Sequence, residues 1–207
     1  MTLPANRRTK RAPYTNLQIA NGIESLINSR TVKIYLGSSI TFINVHEVKL
    51  SNASPFWRER LFGPIGKGEA LKIDQDDTPA FKLLIAWLYD KHIIQAEDSD
   101  IMLANFHSNI FMYVRLWILA ACLELSELQN ITIVRVCHLL RHSSIRPELI
   151  IEIYERTQPG DKLRRLAAED AAFRFVGDEH SLNFYRICEE ASGDFRNDFV
   201  NCLTVYN

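Results

Sequence analysis

Thr31-Val-Lys-Ile-Tyr-Leu36 and the run His46-Glu-Val-Lys-Leu50-Ser-Asn-Ala-Ser54-Pro-Phe-Trp57 decide how this chain folds. In the first, Val32, Ile34 and Leu36 alternate with Lys33 and Tyr35, the period-two pattern of a half-buried strand. Gly37-Ser38-Ser39 supplies a turn and Ile40 to Val45 is β-branched and aromatic, so the two runs predict a hairpin. The pattern then changes. His46 to Asn52 reads as a short helix, and Ser54 is placed to cap a second one, with Pro55 at its first position and Trp57, Leu61 and Phe62 available for burial.

Working outward, Gly63-Pro-Ile-Gly-Lys-Gly68 is a loop and Glu69 to Ile73 a third strand. Thr78 is expected to cap the next helix, whose apolar stripe is Phe81, Leu84, Ile85 and Leu88. Ile93-Ile94 suits a short edge strand. Upstream, Leu17, Ile19, Ala20, Ile23, Leu26 and Ile27 recur at near-helical spacing and predict an amphipathic first helix ending near Ser29. Residues 1–15 are polar, basic and proline-containing, the composition of a disordered tail.

From about Asn109 onward every segment reads helical. Ile110 to Leu125 is apolar almost all round, as for a helix in the middle of a core. Ser126 is expected to cap the next, with Leu128, Ile131, Val134 and Leu139 inward. Pro147 starts another that ends near Thr157. Asp161 caps a helix to about Val176, and two shorter helices complete the chain.

With 207 residues, 47% hydrophobic and 24% charged, the chain can bury a substantial core. Its net charge of −1 leaves no overall footprint for nucleic acid or anionic lipid. No uninterrupted apolar window approaches the roughly 18 residues of a membrane span. The N-terminus carries positive charge with no apolar stretch behind it, unlike a secretory signal. Cys122, Cys137, Cys188 and Cys202 lie far apart, mostly in apolar helical patterns, and read as buried free thiols of an intracellular protein, cytoplasmic or nuclear.

The sequence points to no catalytic centre. His138 and His142 share a helix face near Cys137, but zinc needs further ligands at characteristic spacing and no C-x-x-C occurs. Gly63 to Gly68 follows a helix and precedes a strand, the reverse of the order that sets phosphate on a helix N-terminus. There is no G-x-S-x-G elbow. Asp74, Asp76 and Asp77 suit a helix N-terminus electrostatically. No cofactor or metal is implied. The basic run Arg7, Arg8, Lys10 and Arg11 suits a nuclear-import signal or a weak phosphate-binding arm, with a solvated tail as the plainer reading.

The predicted order of helix, strand, strand, helix, helix, strand, helix resembles the BTB/POZ domain. His46, Leu50 and Ser54, followed by Pro55 and Trp57, look like the family's H-x-x-x-L-x-x-x-S-x-x-F element. Phe81 to Tyr89 is similar to its F-x-x-L-L-x-x-[LIW]-Y helix, and Tyr113 to Asn130 to its later L-Y-x-L-A-D segment. The resemblance covers about residues 17–142, and the chain's style looks like the small single-domain BTB proteins of filamentous fungi. It implies an α+β fold: a small, mainly antiparallel sheet packed among helices over residues 16–142, then an all-helical extension over 143–207. His46, Leu50, Ser54 and Trp57 take folding roles in that picture, with the imidazole free to bond backbone groups of the neighbouring turn.

What the resemblance implies for function is partner binding. In the family, homodimers form largely through the first helix, which gives Leu17, Ile23 and Ile27 as interface residues. Glu97, Asp98 and Asp100 lie near where BTB adaptors meet a cullin, the scaffold of a ubiquitin ligase, although an exposed acidic turn is the plainer reading. The pattern also departs from the family. An acidic residue at the start of the first strand and a basic one before the Ser-Pro step are replaced by Thr31 and Ala53. The charged pocket used by corepressors is therefore missing. The expectation is a non-catalytic interaction protein, self-associating and serving as a cullin adaptor for an unidentified substrate or regulatory protein. A nuclear or chromatin regulator using the basic tail, or a stand-alone oligomerisation scaffold, are the alternatives.

Overall fold

A computed structural model describes residues 24–37, 42–62, 70–73, 77–91, 106–177, 189 and 193–206. The hairpin forms as its alternation requires. Strand β1, Thr31–Leu36, pairs antiparallel with β2, Phe42–His46, in the register Val32↔Val45 and Ile34↔Ile43. Val32, Ile34, Leu36 and Val45 are buried, so one face of the ribbon is the floor of the core.

Two helices follow without a break in logic: α1, Glu47–Ala53, and α2, Pro55–Phe62. Between them Ser54 stands in extended backbone and its Oγ accepts the Trp57 N–H at 3.3 Å, satisfying one of the donors a helix start leaves open. Strand β3, Ala70–Ile73, then lies on the other side of β1, and parallel to it, with Tyr35↔Lys72 and Leu36↔Ile73 in register. The three-stranded sheet, in the order β2-β1-β3, is therefore mixed rather than mainly antiparallel. The α1–α2 pair supplies the crossover that a parallel return needs.

Helix α3, Thr78–Tyr89, is capped one residue earlier than expected. The Asp77 carboxylate, not Thr78, accepts the Ala80 N–H at 3.2 Å, and Pro79 stands within the first turn. Helix α4, Phe106–Cys122, is central, with Ile110, Tyr113, Val114, Leu116, Trp117, Ile118, Leu119 and Ala120 all buried. It ends in a left-handed turn at Glu124, whose φ is +55°. There Leu125 N–H reaches back to Ala120 O at 2.8 Å and Glu124 N–H to Ala121 O at 3.1 Å, the paired bonds of a Schellman stop.

That stop, rather than a Ser126 cap, sets the start of α5, Ser126–Leu139, which has no side-chain cap. Its buried stripe is Leu128, Thr132, Val136 and Leu139, while Val134 is 68% exposed and points away from the core, against expectation. Six residues separate Val134 from Leu128, a rotation of about 240°, which carries it off the stripe. Cys137 follows Val136 by one residue and is exposed for the same reason; Cys122, at the end of α4, is exposed too. Neither is the buried thiol the composition suggested, and Cys202 is half-buried.

Helices α6, Pro147–Arg156, and α7, Lys162–Val176, lead to α8, Gly193–Tyr206. Asp161 stands at the α7 start, but its carboxylate accepts the Gln158 N–H instead of capping the helix. One buried cluster runs from Val32 in the sheet through α4 to Phe195 and Phe199 in α8. The tail with Arg7, Arg8, Lys10 and Arg11, most of the first helix, the Gly63–Gly68 loop, the Ile93-Ile94 strand, the acidic residues 97–100 and Cys188 lie outside the described residues.

Candidate interaction surface

The chain end that enters the sheet is stapled to the start of α1. Residues 24–27 are helical, and Arg30 O accepts the Glu47 N–H at 2.9 Å. Because His46 does not cap α1 with its side chain, the open Val48 N–H is met from outside, by Ser29 Oγ at 3.1 Å. The Arg30 guanidinium closes on the Glu47 carboxylate in a direct ion pair. Glu47 is almost fully buried and Arg30 exposed, so Arg30 is what permits a carboxylate to lie there.

A groove of about 560 Å³ opens along this junction, lined by Ser25, Asn28, Arg30, Glu47, Ser51 and Phe62, among others. Of its lining, Phe62 at the end of α2 is apolar and 62% exposed, and Ile27, 76% exposed, belongs to the segment that supplies Ser25 and Asn28. Of the three predicted interface residues, Ile27 is therefore at the surface, while Leu17 and Ile23 lie outside the described residues. Thr31 is exposed at the start of β1 and Ala53 is half-buried at the end of α1. The fixed charges nearby are Arg30 and Glu47, which the sequence reading passed over. Their spacing of seventeen positions gives no local signal; only the Arg30 to Glu47 strand register brings them together.

His46 has a defined partner. Its Nδ1 lies 2.7 Å from the Tyr89 hydroxyl, and its own backbone N–H donates to that hydroxyl at 3.1 Å. The imidazole thus ties β2 to the end of α3 rather than bonding a backbone turn. Lys49 Nζ sits 5.6 Å from the centre of the Tyr89 ring. Nearby, Lys91 Nζ packs over Trp87 and 3.6 Å from Glu127, and burial draws its pKa below the ordinary lysine value despite that carboxylate.

The other charged constellation joins the helices. Asp77 pairs with Arg115 at 3.3 Å, Arg115 with Glu152 at 3.0 Å, and Glu152 with Arg156 at 2.6 Å. This chain runs from the cap of α3 across α4 to α6, and its groups neutralise one another. A cavity of about 320 Å³ between α7 and α8 is lined by Arg164, Arg165, Glu169, Asp198 and Cys202 among others. Burial, with Glu169 second, pushes the Cys202 thiol above its ordinary pKa, which disfavours the thiolate a nucleophile needs. Cys137 is raised by the same two causes.

Among the described residues no group of three or more His, Cys, Asp or Glu side chains is placed to hold a metal ion. The His138 and His142 rings stand 6.1 Å apart at the predicted helix end. No described helix is long and apolar enough to cross a membrane. No protein-family model matches the chain, and no curated protein matches it significantly.

Proposed function

We propose that this protein is a non-catalytic protein–protein interaction module that self-associates around its first helix and serves as an adaptor for a cullin-RING ubiquitin ligase. The observation that carries self-association is the pair of unburied apolar side chains, Ile27 on the 24–27 segment and Phe62 lining the groove between that segment and α1. A large apolar side chain left in water costs about 1.5–3 kcal/mol relative to burial, and a two-fold contact recovers that at each copy. The sequence resemblance to the BTB/POZ domain supports the same surface and supplies the cullin as partner.

Light scattering on the full chain tests it. The wild type is expected to be a dimer, and Ile27→Asp a monomer that keeps the wild-type circular dichroism spectrum, since Ile27 is 76% exposed and its replacement opens no core. A monomeric wild type, or a variant that stays dimeric, overturns the interface. Calorimetric titration with the N-terminal domain of a BTB-binding cullin tests the adaptor role. A dissociation constant of about micromolar or tighter supports it, and no heat at several temperatures removes it.

A further inference from the structure

The sheet has a second face. Opposite the buried side, the register sets out a small grid: His46 beside Thr31, then Asn44 beside Lys33, then Phe42, Tyr35 and Lys72 abreast. Thr31, Lys33, Asn44, Phe42 and Lys72 are exposed, and Tyr35 is half-buried. The Tyr35 and Phe42 rings touch with centroids 5.6 Å apart, and Lys33 Nζ lies over the Phe42 ring at 4.9 Å. No carboxylate pairs with Lys33 or Lys72 among the described residues, and none stands on the grid, although the whole chain is close to neutral.

We propose that this outer sheet face, through Lys33, Lys72, Tyr35 and Phe42, docks an extended acidic segment of a partner polypeptide. Charge complementarity selects the class. Sheet spacing separates the Lys33 and Lys72 backbones by about 8 Å, close to the roughly 7 Å between side chains two residues apart on an extended strand. Carboxylates at alternate positions of one such strand therefore match the spacing of the two lysine positions. A single-stranded nucleic acid fits the face less well. Base stacking needs open ring faces, and Phe42 has Lys33 on one face and Tyr35 against it. Two lysines also release too few counterions to hold a phosphate backbone firmly.

The proposal is independent of self-association, because the face lies on the sheet rather than at Ile27 or the groove lined by Phe62. Fluorescence anisotropy with the full chain and a labelled peptide of alternating glutamate and threonine tests it. The wild type and the Ile27→Asp variant are expected to bind alike. Reversing both charges, Lys33→Glu with Lys72→Glu, is expected to weaken binding at least about tenfold. Lys162→Glu, an exposed lysine on a distant helix, should leave it unchanged. Both side chains are exposed and make no ion pair among the described residues, so circular dichroism should show an intact fold. Absence of saturable binding by the wild type overturns the proposal, as does binding indifferent to the double reversal. Tighter binding of an oligothymidylate than of the peptide overturns it too, and hands the face to nucleic acid.

Discussion

Replacing Arg164 by alanine should loosen the three C-terminal helices from one another more than any other single charge removal among the described residues. Arg164 is only 5% exposed. Its Nη2 donates to Tyr154 O at 2.7 Å and Thr157 O at 2.6 Å, two carbonyls at the end of α6 that the helix itself leaves open. Nε donates to Thr157 Oγ1 at 3.1 Å, Nη1 to Asp194 of α8 at 2.9 Å, and the plane lies 4.8 Å from the Tyr154 ring centre. Each bond from a charged donor contributes about 1.5–3 kcal/mol, partly offset by the cost of dehydrating the guanidinium on folding, which the alanine variant lacks. Breaking one such buried cluster costs about 3–5 kcal/mol, a fall in melting temperature of roughly 6–20 °C for a chain of this size.

Two companions show which bonds matter. Arg164→Lys keeps the charge but cannot span both carbonyls and the Asp194 carboxylate, so it should fall between wild type and alanine. Asp194→Asn removes a partner that is 55% exposed and should cost less than about 1 kcal/mol. Urea unfolding followed by circular dichroism measures all three. If Asp194→Asn costs as much as Arg164→Ala, the surface ion pair and not the carbonyl clamp holds the helices. If Arg164→Ala stays within about 1 kcal/mol of wild type, the clamp argument is wrong.

Tyr154 offers a pH test of the same region. Burial, and then its 2.8 Å hydrogen bond to Asp198, push its pKa well above the ordinary value of 10.0. The unfolded state therefore releases this proton first, so the contribution is complete below pH 10 and declines as pH rises above it. Tyr154→Phe should cost about 1 kcal/mol at neutral pH and flatten the alkaline fall in stability, read from melting curves; an equally steep fall in the variant would remove Tyr154 from the account. Glu124 holds a left-handed φ of +55° that glycine adopts without strain, so Glu124→Gly should stabilise by about 1 kcal/mol in thermal melts, and a lower melting temperature would contradict the stop assigned to α4.

Where the signal lay within a few residues, the sequence was legible. The alternation in Thr31–Leu36, the Ser54-Pro55 helix start and the all-round apolar run of α4 each appear where their patterns put them. The misses lie at choices between neighbours. Asp77 outcompetes Thr78 for the cap of α3 and at the same time meets Arg115, a contact far along the chain. A glutamate in a left-handed turn gives no warning of the stop before Ser126, because that conformation is usually glycine's. Val134 and Cys137 looked inward because their neighbours are apolar, but only the angle at which α5 meets the core decides the buried stripe. Of the candidate interface, Ile27 is at the surface, while the groove lined by Phe62 and the Arg30–Glu47 pair come from residues joined by strand register.

By itself, then, the sequence determined the α+β class and, over the described residues, the succession of strands and helices and most of the core, because periodicity, caps and turns act over one or two turns of chain. Only the tertiary structure decided that β3 runs parallel to β1, that Arg164 closes the C-terminal helices, and that Lys33, Tyr35, Phe42 and Lys72 share one open face. These depend on which distant segments become neighbours. That is settled by the burial of the whole core at once, and no local pattern records it.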